Sequence, residues 1–164
     1  MSIYPRPLLH LAQQVLADCK AAEIMLATAE SCTGGLIIGC LTEVPGSSAV
    51  VDRGFITYTN EAKREMLGVP GDLLADYGAV SEQVARAMAE GALMRSRSQI
   101  AVSVTGVAGP GGGTALKPVG MVHFGVAREG KSILHEVQRF GDIGRDEIRL
   151  KTVETAFNLL LRMI

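Results

Sequence analysis

Ser31 sits in a run where every side chain is polar or reactive, Glu30-Ser31-Cys32-Thr33, and the run closes on Gly34-Gly35. A serine hydroxyl becomes a nucleophile when a base takes its proton, and the attacked carbonyl then needs N–H donors for its oxyanion. Backbone amides opening a helix supply such donors. Helix capping by Ser31 or Thr33 is the plain structural alternative for the same loop.

The base is not a histidine. His10, His123 and His135 are the three present, and none stands beside a carboxylate at triad or ligand spacing; structural or surface roles are expected for all of them. Lys63 is the candidate, because Ser–Lys pairs recur as catalytic units. It falls in the first turn of the helix expected after Tyr58, where the helix dipole and partial desolvation both lower a lysine pKa. An ordinary solvated lysine in Lys63-Arg64-Glu65 is the alternative. Tyr58, at a strand end, could relay a proton or hydrogen-bond a substrate, or serve as a core-edge aromatic. Cys32 is a competing nucleophile, ranked second because an extended chain points it away from Ser31. Arg145 opens the last helix, where the macrodipole disfavours a cation. A bound anion explains that placement, and so does a surface ion pair with Asp142, Asp146 or Glu147.

Several familiar patterns fail. The glycine loop 106–118 lacks the Lys-Ser/Thr of a P-loop and the spacing of G-x-G-x-x-G, and a strand follows it instead of a helix. Ala29 occupies the first glycine position of a nucleophile elbow. Cys19, Cys32 and Cys40 are odd in number and form no C-x-x-C pair, so neither a disulfide framework nor a zinc site is expected, and the thiols read as reduced and cytosolic.

These groups must be positioned by the elements around them. Helical spacing runs from about Pro7 to Ala22, followed by a buried strand over Ile24–Thr28 and a helix over Leu36–Val44. Val50–Thr59 reads as a strand. Asn60 is the expected cap of a helix to Leu67, with Gly68 as terminator. A helical turn follows Gly71, and Ser81 caps a helix to about Arg97. Gln99–Thr105, Val119–Ala127 and Ser132–Phe140 are strands, the last two a hairpin. The final helix carries Val153, Ala156, Phe157, Leu160, Leu161 and Ile164 on one stripe. This order predicts an α/β fold: a three-layer α/β/α sandwich on a mixed sheet of about five to six strands, one domain over residues 1–164.

Composition narrows the function. The 164 residues are 48% hydrophobic with a formal net charge of −1, which excludes disorder and disfavours binding of a nucleic-acid polymer through a basic face. Aromatics are 4% with no Trp, and Gly is 19 of 164, so a small ligand is held by backbone and hydroxyls more than by stacking. The N-terminus lacks the pattern of a secretory signal, and no apolar run approaches the roughly 20 residues of a membrane span. A soluble, cytoplasmic domain is expected. Its sheet edges and long helices allow a dimer or higher assembly, and a homo-oligomer is expected.

The motifs taken together resemble the C-terminal domain of the CinA competence/damage-inducible family, which includes bacterial nicotinamide-nucleotide amidases. The resemblance runs through TAESCTGG (28–35), PGSS (45–48), YTNEAK (58–63), GAVSE (78–82), TGVAGPGGGT (105–114), KPVG (117–120) and Arg139 to Arg145. The large N-terminal domain of fused members is not in the sequence, so the likeness is to the stand-alone form. It implies hydrolysis of the carboxamide of nicotinamide mononucleotide through an acyl-enzyme, with Ser31 as nucleophile, Lys63 as base and Tyr58 positioning Lys63 or passing a proton. The oxyanion would rest on N–H groups around Thr33–Gly35. Glu30, Thr33, Gly34, Gly35, Thr105, Gly106, Ala108 and Gly109 would contact the substrate, with Arg145 facing its phosphate. The chemistry calls for no metal or organic cofactor. An amidase for another small amide, or a non-catalytic nucleotide-binding module, would use the same residues differently; release of ammonia separates them.

Overall fold

A computed structural model describes residues 1–164. Helix α1 spans Arg6–Ala21, with Pro at its first turn and no side-chain cap, and buries Leu8, Ala12, Val15, Leu16 and Cys19 on one stripe. Strand β1 is Leu26–Glu30, two residues later than the apolar pattern suggests. Ile24 and Met25 belong to the turn out of α1, where Ile24 N–H donates to Cys19 O and Met25 N–H to the Gln99 side chain. Helix α2 is Leu36–Thr42, and a 3₁₀ turn at Ser47–Ala49 leads into β2, Val51–Ile56.

β2 ends three residues before the expected limit. Thr57 N–H still donates to Glu30 O, but Thr59 leaves the sheet to become the N-cap of α3, Asn60–Leu67. Its hydroxyl accepts from Ala62 N–H at 3.0 Å, so the cap is Thr59 and not Asn60, whose backbone is already helical. Gly68 ends the helix in the left-handed region, φ +67°. Helix α4 is Gly71–Tyr77, and α5 is Glu82–Met94 with Ser81 capping as expected. Strands β3 (Ile100–Gly106), β4 (Met121–Arg128) and β5 (Leu134–Arg139) precede the last helix α6, Arg145–Met163.

The five strands form one mixed sheet in the order β2-β1-β3-β4-β5. β1 is parallel to both β2 and β3, and β4 and β5 continue antiparallel. Helices α1, α2 and α6 cover one face over a core that includes Leu26, Val102, Val104, Phe124 and Phe157. Helices α3, α4 and α5 cover the other over short side chains, Ala27, Ala29 and Ala101, with Leu67, Val84 and Met88. Gly125 makes that second approach close: a Cβ there would stand 2.6 Å from Ala85 O of α5. The result is the expected three-layer sandwich.

From β1 the chain runs to β2 on one side, and β3 lies on the other. The carboxyl ends of β1 and β3 therefore flank a topological switch point, where open α/β sheets form their ligand crevice. Side chains alternate along β1: Leu26 points into the α1/α2/α6 core, Ala27 and Ala29 into the opposite one. Continued by one residue, through Ser31 N–H donating to Val104 O at 3.1 Å, the alternation sends Ser31 to the α3 side.

Candidate active site

Lys63 meets Ser31 there. It is 1% exposed, among the largest fully buried side chains of the chain, so it is not a solvated surface lysine. Its Nζ stands 2.9 Å from Ser31 Oγ, 2.9 Å from Thr57 O and 3.1 Å from Tyr58 O. Burial pushes its pKa down to about 8, opposed in small part by the neighbouring Cys32. A neutral amine has two hydrogens and one lone pair. The two carbonyls accept the hydrogens, which turns the lone pair toward the serine hydroxyl. In that state the Lys63 lone pair faces a hydroxyl whose proton it can accept.

Ser31, Cys32, Tyr58, Lys63, Ala79, Val80, Thr105, Gly106, Ala108 and Arg145 line a cleft of about 190 Å³. A larger hollow of about 410 Å³, beside α3 at Glu61, Arg64 and Gly71, contains no nucleophile. Thr105 Oγ1 donates to Ala79 O at 2.9 Å, joining the end of β3 to the loop before α5. Cys32 is buried, and desolvation raises its thiol to about 11, so it stays protonated at neutral pH. Cys32 nevertheless borders the cleft beside Ser31, and no base stands against its thiol as Lys63 stands against Ser31 Oγ.

Other expected site residues have different duties. Glu30 is wholly buried on the α2 side. Its carboxylate accepts from Thr33 Oγ1 (2.7 Å), Thr28 Oγ1 (3.0 Å), Ile37 N–H (2.9 Å) and Ile38 N–H (3.0 Å). It anchors the start of α2 and does not line the cleft; the Thr33 side chain, fully buried beside it, does the same, while its backbone N–H stays unpaired. Gly34 and Gly35 turn the chain at φ +57° and +107° and do not border the cleft. Gly34 N–H is committed to Ser31 O at 3.1 Å, whereas the Cys32 and Thr33 N–H groups donate to no protein acceptor. Gly35 N–H likewise donates to no protein acceptor, so the unpaired amides of this loop are those of Cys32, Thr33 and Gly35, two of them within the expected 33–35 stretch. Gly109 is reached only through its carbonyl, which accepts from Arg145 Nη1 at 2.7 Å.

Arg145 is the first residue of α6. Its guanidinium contacts Gly109 O and, through Nη2 at 3.3 Å, the Tyr58 hydroxyl; it is not paired with Asp142, Asp146 or Glu147. Tyr58 is 60% exposed, and only its backbone carbonyl touches Lys63. His123 and His135 pair with each other, Nδ1 to Nε2 at 2.9 Å, and burial followed by the His135 charge pushes His123 down to about 4. No group of three or more His, Cys, Asp or Glu could hold a metal ion, and no helix is long and apolar enough to cross a membrane. All three cysteines are free and buried.

Ala79, Val80 and Arg149 join the site without having been singled out by sequence pattern. Ala79 and Val80 lie just before the Ser81 cap, in a motif whose place on the cleft needs the tertiary fold. Arg149 is one helical turn after Arg145, and that i,i+4 spacing is the available signal for it. Its Nε donates to Cys32 O and its Nη2 to Thr33 O, each at 3.1 Å.

The model of the CinA C-terminal domain matches residues 8–164. The chain belongs to the CinA C-terminal domain family. A nicotinamide-nucleotide amidohydrolase, PncC, of Enterobacter agglomerans is 48% identical over 153 residues, covering 93% of this chain and 92% of that protein. A CinA-like protein of Mycobacterium sp. (strain JLS) is 52% identical over 91% of this chain, which spans only 36% of that relative's length. The crystal structure of the competence/damage inducible protein CihA from Agrobacterium tumefaciens superposes with a TM-score of 0.97 at 57% identity, covering 99% of this chain and 98% of that one.

Proposed function

We propose that the chain hydrolyses the carboxamide of nicotinamide mononucleotide to nicotinic acid mononucleotide and ammonia, through an acyl-enzyme on Ser31, as a step in pyridine nucleotide recycling in the cytoplasm. The observation that carries the reading is the buried Lys63 amine 2.9 Å from Ser31 Oγ. The similarity to an amidohydrolase over nearly its full length supports the substrate class.

Neutral Lys63 takes the Ser31 proton as Oγ attacks the amide carbon. The carbonyl oxygen becomes an oxyanion received by the Cys32 and Thr33 N–H groups. Collapse breaks the C–N bond, and the Lys63 ammonium returns its proton to the departing nitrogen, which leaves as ammonia. A water then enters; Lys63 deprotonates it, hydroxide attacks the ester, and the proton passes back to Ser31 Oγ. The net reaction adds one water across the amide bond. Arg145, at the exposed rim of the cleft with no carboxylate partner, suits the substrate phosphate. Tyr58 holds the guanidinium from the other side.

Ammonia release from nicotinamide mononucleotide, compared with free nicotinamide and with unrelated small amides, tests the assignment. Turnover restricted to the nucleotide is expected. Turnover of another amide in its place redirects the substrate, and binding of the nucleotide without ammonia release refutes the enzymatic reading.

A further inference from the structure

We infer that Arg149 is a positioning residue that holds the oxyanion donors of the Ser31 loop in their working orientation. The inference rests on the acyl-enzyme reading of Ser31. The nucleophile's own N–H is taken by Val104 O in the sheet, and Gly34 N–H by Ser31 O. The Cys32, Thr33 and Gly35 N–H groups remain, and the first two belong to peptides whose carbonyls are held elsewhere.

A trans peptide is planar, with its N–H and C=O on opposite sides. The Thr33 N–H shares its peptide with Cys32 O, which accepts from Arg149 Nε at 3.1 Å. Fixing that carbonyl toward α6 turns the Thr33 N–H away from α6. The carbonyl of the next peptide, Thr33 O, accepts from Arg149 Nη2 at 3.1 Å and from Leu36 N–H at 3.1 Å. The peptide carrying the Cys32 N–H is fixed by Gly34 N–H on Ser31 O. A hydrogen bond from a guanidinium is charge-assisted, and it polarises the amide so that its N–H becomes a stronger donor. Without Arg149, the Cys32–Thr33 peptide is free to rotate and to present a carbonyl where the donor should be.

Arg149 does not border the cleft, so it acts through the loop and not on the substrate. Gly34 lies against it, where an added Cβ would stand in ordinary contact at 3.5 Å from Arg149 Nη2; what favours glycine there is the backbone turn at φ +57°. The contact joins residues 116 and 117 positions apart in sequence, so α6 brings Arg145 to the cleft rim and Arg149 to the back of the nucleophile loop on a single face.

The test compares wild type, Arg149→Ala and Arg149→Lys in two reactions: ammonia release from nicotinamide mononucleotide, and acylation of Ser31 by p-nitrophenyl acetate with the Ser31→Ala rate subtracted. Arg149→Ala should lower kcat and the acylation rate about 10- to 100-fold, short of the loss expected on deleting an oxyanion donor. KM should change less than about threefold, the pH midpoint of kcat/KM should stay in place, and millimolar methylguanidinium should restore part of the rate. Arg149→Lys, which keeps the charge and one contact, should fall between. Wild-type acylation rates in Arg149→Ala overturn the inference, as does a loss explained wholly by a smaller folded fraction in a thermal melt. A wild-type chain that is acylated by the ester but releases no ammonia refutes the substrate assignment while the ester arm still decides Arg149. Acylation by neither overturns both.

Discussion

Lys63→Met should end catalysis and at the same time raise folding stability at pH 7 relative to its effect at pH 10. The Lys63 pKa falls from its ordinary 10.5 to about 8 on folding. At pH 7 the group is charged in both states, and burying that charge costs about 3 kcal/mol, since each tenfold loss of proton affinity corresponds to about 1.4 kcal/mol. For a base with a depressed pKa, the unfolded chain binds more protons between pH 8 and 10.5, so stability rises with pH through that window. By pH 10 the penalty has fallen to about 1 kcal/mol. Met fills similar volume without charge but leaves Thr57 O and Tyr58 O without their donor, a pH-independent loss of about 1 kcal/mol each. The variant should therefore be more stable than wild type by about 1 kcal/mol at pH 7 and less stable by about 1 kcal/mol at pH 10. Urea unfolding of both proteins at the two pH values reads this directly, because other titrating groups cancel in the comparison. A stability difference that is the same at pH 7 and pH 10 refutes the depressed pKa, and with it the case for Lys63 as a base.

The pH profile of kcat/KM should rise through a midpoint near 8, as Lys63 loses its proton; a flat profile from pH 6 to 9 contradicts the role. Cys32→Ala should keep activity within a few-fold, because Lys63 is paired with Ser31 Oγ and not with the Cys32 thiol; steady-state kinetics check it, and a lost turnover moves the nucleophile to Cys32. Arg145→Ala should raise KM for the nucleotide about tenfold or more with a smaller change in kcat, the loss of a charge-assisted contact of about 1.5–3 kcal/mol, and an unchanged KM removes the phosphate assignment. Glu30→Gln sets an amide N–H₂ against some of the four donors that now meet a carboxylate, and should lower unfolding free energy by about 3 kcal/mol, read by urea titration.

The layer order and the mixed sheet are legible in the sequence because they rest on local patterns, whereas the Ser31–Lys63 contact spans 32 positions and is suggested only by residue types that recur as pairs. Period-two alternation from Leu26 onward carries Ser31 to one face and Glu30 to the other. The same alternation separates Glu30 from its neighbour's chemistry, although adjacency in sequence suggests a substrate contact. What it cannot show is that Ile37 and Ile38 N–H come to meet the carboxylate, since that depends on where α2 docks. The Thr59 cap is a competition between two good cap residues one position apart, decided by where β2 releases the chain. Arg149 and the Ala79-Val80 wall depend on contacts across long stretches of the chain, which no window of sequence contains. Tyr58 borders the cleft, as its strand-end position suggests, but its phenol turns to Arg145 while its carbonyl serves Lys63. That division is set by backbone direction at the exit from β2.

Ammonia release from nicotinamide mononucleotide by wild type and by Ser31→Ala, each shown folded by the same thermal melt, is the most direct test of the nucleophile. The geometry predicts steady release by wild type and a rate at least about 10³-fold lower in Ser31→Ala, as loss of a covalent nucleophile requires. A Ser31→Ala chain that releases ammonia at the wild-type rate contradicts it.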